Sequence, residues 1–336
     1  MKKTLLALLA VAALVGCTKD NVLDDNKEAI GFSNAFIENS VKSVSDPSLT
    51  VETLSDFAVY GFVEGATLFD GTTVNKTITN DKLTSEWKYE GTQYWIAGAK
   101  YDFHAVAPKT NGGWTKTSAT KDAITLNFVN SINNNNKSID LLYASASQEG
   151  KVSGNSAVAF TFNHALSKVK FSFANQYNAS NAKIKITNIE ITNAHKTATV
   201  TLNANSISWS DHKDNLLLGF GDASDNEATD EKENGAAKFE FGKTYESEHE
   251  RLLIPGLETS YQVKFWVAIF INGSADAVKI YYHDTTVKFK PEAGKSYDIK
   301  AVITPENIDP AHTQEPIQFT VNTLPGWGDT NDKNVN

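Results

Sequence analysis

The chain has 336 residues, of which 40% are hydrophobic and 21% charged, so we expect it to fold around a core rather than remain disordered. A formal net charge of −9 argues against a nucleic-acid ligand and against binding a membrane through a basic patch. The 18 Phe, 11 Tyr and 6 Trp residues, punctuated by frequent Gly and Asn, predict an all-β protein long enough for two domains.

Residues 1–16 have the pattern of a signal peptide. Lys2 and Lys3 precede an apolar run over residues 5–15 that is too short to span a membrane. The run ends at Gly16, before Cys17, and this ending resembles the bacterial lipobox. The resemblance implies cleavage before Cys17 and lipidation of its thiol, which would anchor the chain stably through two acyl chains. The alternative is an ordinary signal peptide followed by an incidental cysteine.

Residues 17–28 are polar and charged, as expected for a solvated tether between a lipid and a folded domain. Removal of residues 1–16 takes away two lysines and leaves 29 basic and 40 acidic residues, a net charge of −11. Cys17 is the only cysteine, so the exported chain has no disulfide and its stability must come from the β core.

We place a first β domain at residues 29–155. Its strands are recognised by alternating apolar residues or by aromatic clusters bounded by turn residues. They are predicted at 57–63, at 87–95 around a turn at Gly91, at 100–108 where Pro108 ends the strand, at 123–129 and at 139–144.

The centre of the chain contains a change of phase. Apolar residues alternate on even numbers from 158 to 162 and on odd numbers from 169 to 173. A shift of one residue turns a strand over, which predicts a bulge or a change of sheet between His164 and Lys168. We take this stretch as the start of a second β domain, residues 156–336.

The second domain continues as a series of strands, with no helix expected beyond single turns. The run 263–271 is apolar on both faces, which predicts a central strand covered on both sides and places Trp266 in the core, with Trp95 and Trp209. The strands are predicted at 183–193 with a second phase change, in a hairpin of 197–202 and 206–209, and at 251–254, 263–271, 278–282, 297–303 and 317–321.

The sequence contains no pattern typical of a catalytic or metal site. The seven histidines lack zinc-ligand spacing, and the acidic residues 222–230 lack the spacing of an EF-hand loop. No nucleophile elbow, phosphate loop or dinucleotide fingerprint occurs. The prediction is therefore no enzyme, no cofactor and no metal. Trp114 follows a Gly-Gly pair in a predicted loop and is the candidate exposed aromatic for a ligand or partner.

Several stretches together resemble the fimbrillin family of Bacteroidetes, the pilin-like surface lipoproteins. The resemblance implies two tandem transthyretin-like β-sandwich domains of Greek-key type, and a role in fimbriae as a stalk, anchor or tip subunit. The matching stretches are Cys17 with its lipobox, Tyr94-Trp-Ile with Tyr-Asp-Phe-His-Ala-Val-Ala-Pro over 101–108, Asp-Leu-Leu-Tyr-Ala over 140–144, Phe-Thr-Phe-Asn-His-Ala-Leu-Ser-Lys-Val-Lys-Phe over 160–171, Leu-Leu-Ile-Pro over 252–255, and Ala-Gly-Lys-Ser-Tyr-Asp-Ile over 293–299.

The resemblance also implies assembly by strand complementation, in which a neighbour's strand completes an open sheet. In the family's stalk subunits a protease that cuts after arginine removes the first strand. Here the only arginine is Arg251, deep in the second domain. Either another protease acts, for example after Lys42, or the subunit keeps its first strand. We favour the second interpretation, which makes the protein an accessory, tip or anchor subunit.

The C-terminal run with Ile317, Phe319 and Val321 alternates well and has two interpretations. It is either the last strand of its own domain or a donor strand for a partner. The expected partners are other fimbrial subunits, a host or bacterial surface ligand, and the outer membrane through the lipid on Cys17, with the protein at the cell surface in a fimbrium. The alternative function is a surface glycan-binding lipoprotein of a polysaccharide uptake system, which clustered exposed Trp and Tyr side chains would favour.

Overall fold

The computed structural model describes residues 27–37, 49–50, 53–78, 85–133, 136–178, 182–224, 240–271, 273–308, 315–324 and 327. Within them the chain is all-β apart from one helical turn, α1 (Pro305–Ile308), and this confirms the predicted class. No helix in these ranges is long and apolar enough to cross a membrane. In chain order the strands are β1 (Phe32–Ile37), β2 (Asp56–Val63), β3 (Ala66–Ile78), β4 (Ser85–Tyr89), β5 (Lys100–Ala107), β6 (Trp114–Ala119), β7 (Ala123–Val129), β8 (Leu142–Glu149), β9 (Val158–His164), β10 (Ser167–Asn175), β11 (Ala182–Asn203), β12 (Ser206–Gly221), β13 (Ala223–Ser224), β14 (Thr244–Ser247), β15 (Arg251–Leu253), β16 (Thr259–Ile271), β17 (Lys279–Phe289), β18 (Ser296–Ile303) and β19 (Phe319–Leu324).

The first sheet is closed on itself and contains seven strands in the order β1-β4-β3-β2-β5-β8-β9. The closure depends on β1, which pairs in parallel with β9 and makes one antiparallel pair with β4, between Phe32 and Trp87. Side chains on the inner face of this sheet form one hydrophobic cluster, which is rich in aromatic rings.

Two further sheets complete the fold. One has the order β13-β14-β10-β18-β19, with β15 also paired to β10. The other has the order β17-β16-β11-β7-β6, with β12 also paired to β11. The inner faces of these two sheets enclose a second hydrophobic cluster, to which β10, β11, β16 and β18 all contribute.

The 22-residue strand β11 connects strands that are far apart in sequence. Its first half pairs with β16 and its second half with β7. The register shifts between Thr187 and Glu190, where Asn188 adopts a positive φ of 52°. Asn tolerates this left-handed conformation better than most residues. The bulge explains the phase change seen in the sequence, because it keeps the isoleucines on both sides of it turned to the core.

The central phase change corresponds to a change of sheet, which is one of the two predicted alternatives. β9 belongs to the closed sheet, and β10, which begins three residues later, belongs to the sheet with β18. A third hydrophobic cluster lies around this crossing and includes Ala165 and Leu166 from the connection itself. It joins residues of the closed sheet, such as Tyr60, to residues of β7, β11 and β15.

Strands on either side of residue 155 share sheets. β9 lies after the predicted boundary yet closes the first sheet, and β7 lies before it yet pairs with β11. The division at 155 and 156 and the tandem transthyretin-like arrangement stay predictions.

Candidate functional site

The C-terminal strand β19 pairs with a strand of its own chain. Six residue pairs join it antiparallel to β18, from Ser296 opposite Leu324 to Ala301 opposite Phe319. Ile317 is 1% exposed, and Phe319 and Val321 are partly buried against the second cluster. The ring of Phe319 lies 5.7 to 6.3 Å from three other phenylalanine rings of that cluster. The predicted strand is therefore present, and in the described part of the chain no strand pairs with its outer edge.

The first strand, β1, is also held within the chain. The ring of Phe32 is the centre of an aromatic cluster in the closed sheet, with five ring centroids between 5.6 and 6.2 Å away. Edge-to-face contacts of this kind stabilise by about 0.5–1.5 kcal/mol each beyond the burial of area. Extraction of β1 would therefore remove the middle of a core and not only an edge strand.

Beyond β19, the buried side chain of Trp327 packs against the rest of the fold. Its indole is 2% exposed and lies stacked on the imidazole of His164, with centroids 4.1 Å apart and planes 7° apart. The Nζ of Lys168 lies 5.5 Å from the indole centroid, and cations at such distances are attracted to the ring face. His164 donates from Nδ1 to Asp140 Oδ2 at 2.8 Å, and both side chains are almost fully buried.

Asp140 is the hub of this junction. Its Oδ2 also accepts the backbone N–H of Leu49, and its Oδ1 accepts that of Leu141. One carboxylate therefore joins three segments, and a buried carboxylate is tolerated because it is fully hydrogen-bonded. The junction holds the C-terminal segment through Trp327, and no group of three or more His, Cys, Asp or Glu side chains that could hold a metal occurs among the described residues.

The single arginine is buried, and four hydrogen bonds hold its guanidinium in place. Arg251 is 2% exposed, and its guanidinium donates to Gly219 O, to Glu250 O, and to both O and Oδ1 of Asn136. Burial lowers its pKa to about 10. All partners are neutral oxygens, so the guanidinium works as a structural fork that joins the loop around Asn136 to β12 and β15.

An exposed aromatic pair lies on the outer face of the sheet that contains β16 and β17. Trp266 and Tyr282 are directly opposite each other on these two strands, with ring centroids 4.8 Å apart, and they are 41% and 47% exposed. The prediction that Trp266 belongs to the core was wrong. Strand β16 is central in its hydrogen bonding, but around Trp266 only the opposite face, which carries Phe265 and Val267, is covered.

The other predicted aromatic positions differ from one another. Trp95 is buried, as expected, and Trp209 is partly buried with its Nε1 donating to Ala165 O. Trp114 begins strand β6 instead of lying in a loop, and it packs partly buried against the third cluster. Its indole Nε1 donates to Pro108 O at 2.8 Å. A role of Trp114 in ligand or partner binding stays a prediction. Cys17, the predicted lipidation site, lies outside the described residues.

A polar cleft of about 420 Å³ lies between the outer face of β5 and β8 and two hairpin tips. Asp102, Ser147 and Lys121 are among its lining residues. His104 lies at its wall and is 2% exposed, with Nδ1 bonded to Tyr143 and Nε2 to Lys121 O, and burial lowers its pKa. Both ring nitrogens are hydrogen-bonded, one of them to the hairpin tip, so His104 has a structural role.

Taken together, these features describe a β-sheet protein whose two terminal strands are integrated in its sheets and whose buried polar groups join segments. Residues 47–323 match the model of the fimbrillin-like family. The chain belongs to this family.

Two of the solved structures to which this chain is similar come from Bacteroides species. A fimbrial protein from Bacteroides vulgatus ATCC 8482 aligns with a TM-score of 0.64 at 16% identity, covering 90% of this chain and 100% of that one. A candidate cell adhesion protein from Bacteroides uniformis ATCC 8492 aligns with a TM-score of 0.47 at 16% identity, covering 90% and 98%. A search of curated proteins finds no match. Membership of the fimbrillin-like family supports a fimbrial role.

Two parts of this site were missed from the sequence. The polar junction of Asp140, His164 and Trp327 joins residues that are up to 187 positions apart, and no local pattern connects them. The exposure of Trp266 was missed because residues 263–271 are apolar on both faces, a pattern that is typical of a strand covered on both sides.

Proposed function

We propose that this protein is an accessory, tip or anchor subunit of a fimbria that keeps its first strand. It would be anchored in the outer membrane through a lipid on Cys17, and it would join other subunits by strand complementation at an edge of its sheets. Its activity would be assembly and contact with host or bacterial surfaces, without catalysis.

The observation that carries this proposal is the burial and hydrogen bonding of the single arginine. The resemblance implies that stalk subunits mature by a cut after an arginine near the first strand, and the only arginine here is Arg251. It lies in β15, 2% exposed and hydrogen-bonded from Nε, Nη1 and Nη2. A protease would need to unfold this region to reach it.

The environments of the terminal strands support the same proposal. β1 closes the first sheet and carries Phe32 into its aromatic core, and β19 is paired with β18 and followed by the buried Trp327. A subunit with these strands in place has no empty groove at either position. The outer edge of β19 offers unpaired backbone groups to which a partner's strand could be added.

The first experiment is the N-terminal sequence and intact mass of the protein purified from the cell surface, together with a gel that shows SDS-resistant ladders. We expect an acylated N-terminus at Cys17 and no ladder from this subunit. A start beyond Ile37 together with a ladder would mean that β1 is removed and that the protein is a polymerising stalk subunit.

A protease assay tests the argument from Arg251 directly. An arginine-specific endoprotease should leave the native protein intact and cut the urea-unfolded protein once, after residue 251. The unfolded sample is the control for protease activity. Rapid cutting of the native protein would show that Arg251 is accessible and would remove the support for this proposal.

A second candidate function is that of a surface glycan-binding lipoprotein. The observation that favours it is the exposed pair of Trp266 and Tyr282, which are neighbours on one face. Binding of polysaccharide by a lipidated protein without any fimbrial partner in pull-down experiments would favour this candidate over the first.

A further inference from the structure

We propose that the outer face of β16 and β17 around Trp266 is a binding site for a neutral polysaccharide. The site consists of Trp266, Tyr282 and Ile280 with the polar side chains that flank them, and we call it the Trp266 face. It does not depend on the fimbrial role, because a tip subunit and a glycan-binding lipoprotein would both use such a face.

The register of the sheet sets the layout of the Trp266 face. Directly opposite residues share a face, so Thr187, Trp266 and Tyr282 form one row across three strands. A second row contains Lys185, Ala268 and Ile280. The middle of the face is therefore an indole with a phenol beside it, and Ile280 extends the apolar surface along β17 with 58% exposure.

Polar groups border the aromatic pair on the other side. Lys264, Glu190 and Asp284 form the adjoining row. Asp284 accepts from Gln262 Nε2 at 2.8 Å and lies 3.7 Å from Lys264 Nζ. These carboxylate, amide and ammonium groups are exposed or partly exposed, and they lie within one row of the ring faces. An aromatic platform with such neighbours can stack on the apolar face of a sugar ring while hydrogen-bonding its hydroxyl groups.

The charges around the face select for a neutral ligand. Lys185 and Lys264 balance Glu190 and Asp284, so the surroundings of Trp266 carry no net charge. A nucleic acid or a strongly charged polymer would need a face of one sign. An uncharged polymer rich in hydroxyl groups is not repelled by either sign of charge, and it can both stack on the rings and hydrogen-bond to the polar side chains.

The size of the face argues against a protein partner. Trp266, Tyr282 and Ile280 leave on the order of 300 Å² of side-chain surface exposed, whereas a standard interface buries about 800 Å² on each partner. The row of Lys264, Glu190 and Asp284 borders this apolar area on one side. On the other side Val278, which is 54% exposed, continues it, and the enlarged area is still only about half of a standard interface. Its width of two strands suits one or two sugar rings.

The platform is also rigid before any ligand arrives. β16 and β17 pair over eleven consecutive positions without a register shift, from Thr259 opposite Phe289 to Ile269 opposite Lys279. Among the strands that the structure describes, β17 is the edge strand of its sheet, so a polymer could run across the face and past this edge without meeting another described strand. Preorganised aromatic rings lose little conformational entropy on binding.

The test is affinity electrophoresis of the full-length protein in gels that contain mannan, dextran, xylan or a mixed-linkage β-glucan. We expect retardation by at least one of these polysaccharides, and at least a tenfold loss of affinity in Trp266→Ala. The matched control is Tyr94→Ala, which removes a 46% exposed aromatic far from the Trp266 face and should bind like the parent protein. Trp266→Phe should keep part of the affinity, because the ring face remains.

Three results would overturn the proposal. The first is that the parent protein binds none of the four polysaccharides, and the second is that Trp266→Ala binds as well as the parent. In the third case, sedimentation would show a dimer of the parent protein that Trp266→Ala abolishes, which would assign the face to a second copy of the chain. None of these results bears on lipidation or on the fate of β1, so the fimbrial proposal is tested separately.

Discussion

The indole of Trp327 lies parallel to the imidazole of His164, 4.1 Å away, and fastens the C-terminal segment to the junction between two sheets. His164 ends β9, the last strand of the closed sheet, whereas the strand before Trp327, β19, belongs to the sheet of β18. This contact therefore joins the closed sheet to the sheet that contains β18 and β19. It also helps to keep β19 paired within its own chain.

Trp327→Ala should destabilise the protein by about 3–5 kcal/mol, the usual cost of removing a fully buried large aromatic side chain. Urea unfolding monitored by far-UV circular dichroism measures this loss. Trp327→Phe is the matched control and should lose less, because a ring still covers His164. Hydrogen exchange of the β19 amides should become faster in the alanine variant than in the phenylalanine variant, and equal exchange in both would mean that Trp327 does not hold β19.

Asp140→Asn should destabilise the protein by about 2–4 kcal/mol. The carboxylate accepts from His164 Nδ1, Leu49 N and Leu141 N, whereas an amide offers one oxygen and adds donors of its own. Buried donors left without an acceptor cost about 1–3 kcal/mol each. Chemical denaturation measures the effect. Asp122→Asn, in an exposed hairpin tip, is the control and should change stability by less than about 0.5 kcal/mol. A similar loss in both variants would contradict the role given to Asp140.

Gly61→Ala should destabilise the closed sheet, because the added Cβ has no room. It would lie 2.6 Å from Cδ2 of Phe69 and 3.1 Å from Cδ1 of Phe103, the residues opposite Gly61 on both neighbouring strands. Overpacking of this kind costs about 1–3 kcal/mol. Gly219→Ala is the control, since a Cβ there meets nothing within 4 Å. Thermal unfolding of both variants should show a lowered midpoint only for Gly61→Ala.

His283 should make the protein less stable in mild acid. Burial lowers its pKa to about 4, and its Nε2 has no partner among the described residues while its ring stacks on Phe265. The unfolded chain titrates near pH 6.5, so between about pH 6.5 and pH 4 it binds more protons than the folded chain. The contribution is fully present above about pH 6.5 and declines as the pH falls toward 4.

The measurement is the free energy of unfolding of the parent protein and of His283→Gln across this pH range. The variant should lose less stability than the parent on acidification, and the two curves should be parallel above pH 7. Lys279→Gln, on the same strand and exposed, is a control for a change of local charge. Parallel curves over the whole range would show that His283 does not titrate differently in the folded state.

Local pattern was a good guide to individual strands. Alternation predicted β2, β5, β7, β9, β10, β16 and β18. The phase change after His164 corresponds to a change of sheet, one of the two predicted alternatives, and the second phase change corresponds to the bulge at Asn188. The single turn α1 was the only helix to be found in the described residues, as expected. These features depend on the two-residue period of a strand, which can be recognised from neighbouring residues alone. β3 was missed because its Thr, Asn and Asp residues hide the alternation.

The sequence by itself determined the all-β class, the absence of a disulfide and the positions of most strands, since each depends on composition or on residues close together in the chain. Only the tertiary structure decided which strands pair, because the partner of β1 or of β7 lies many residues away. It also decided that Trp266 is exposed while Phe265 is buried. Both are large and apolar, and only the packing of a second sheet on one face of β16 makes them different.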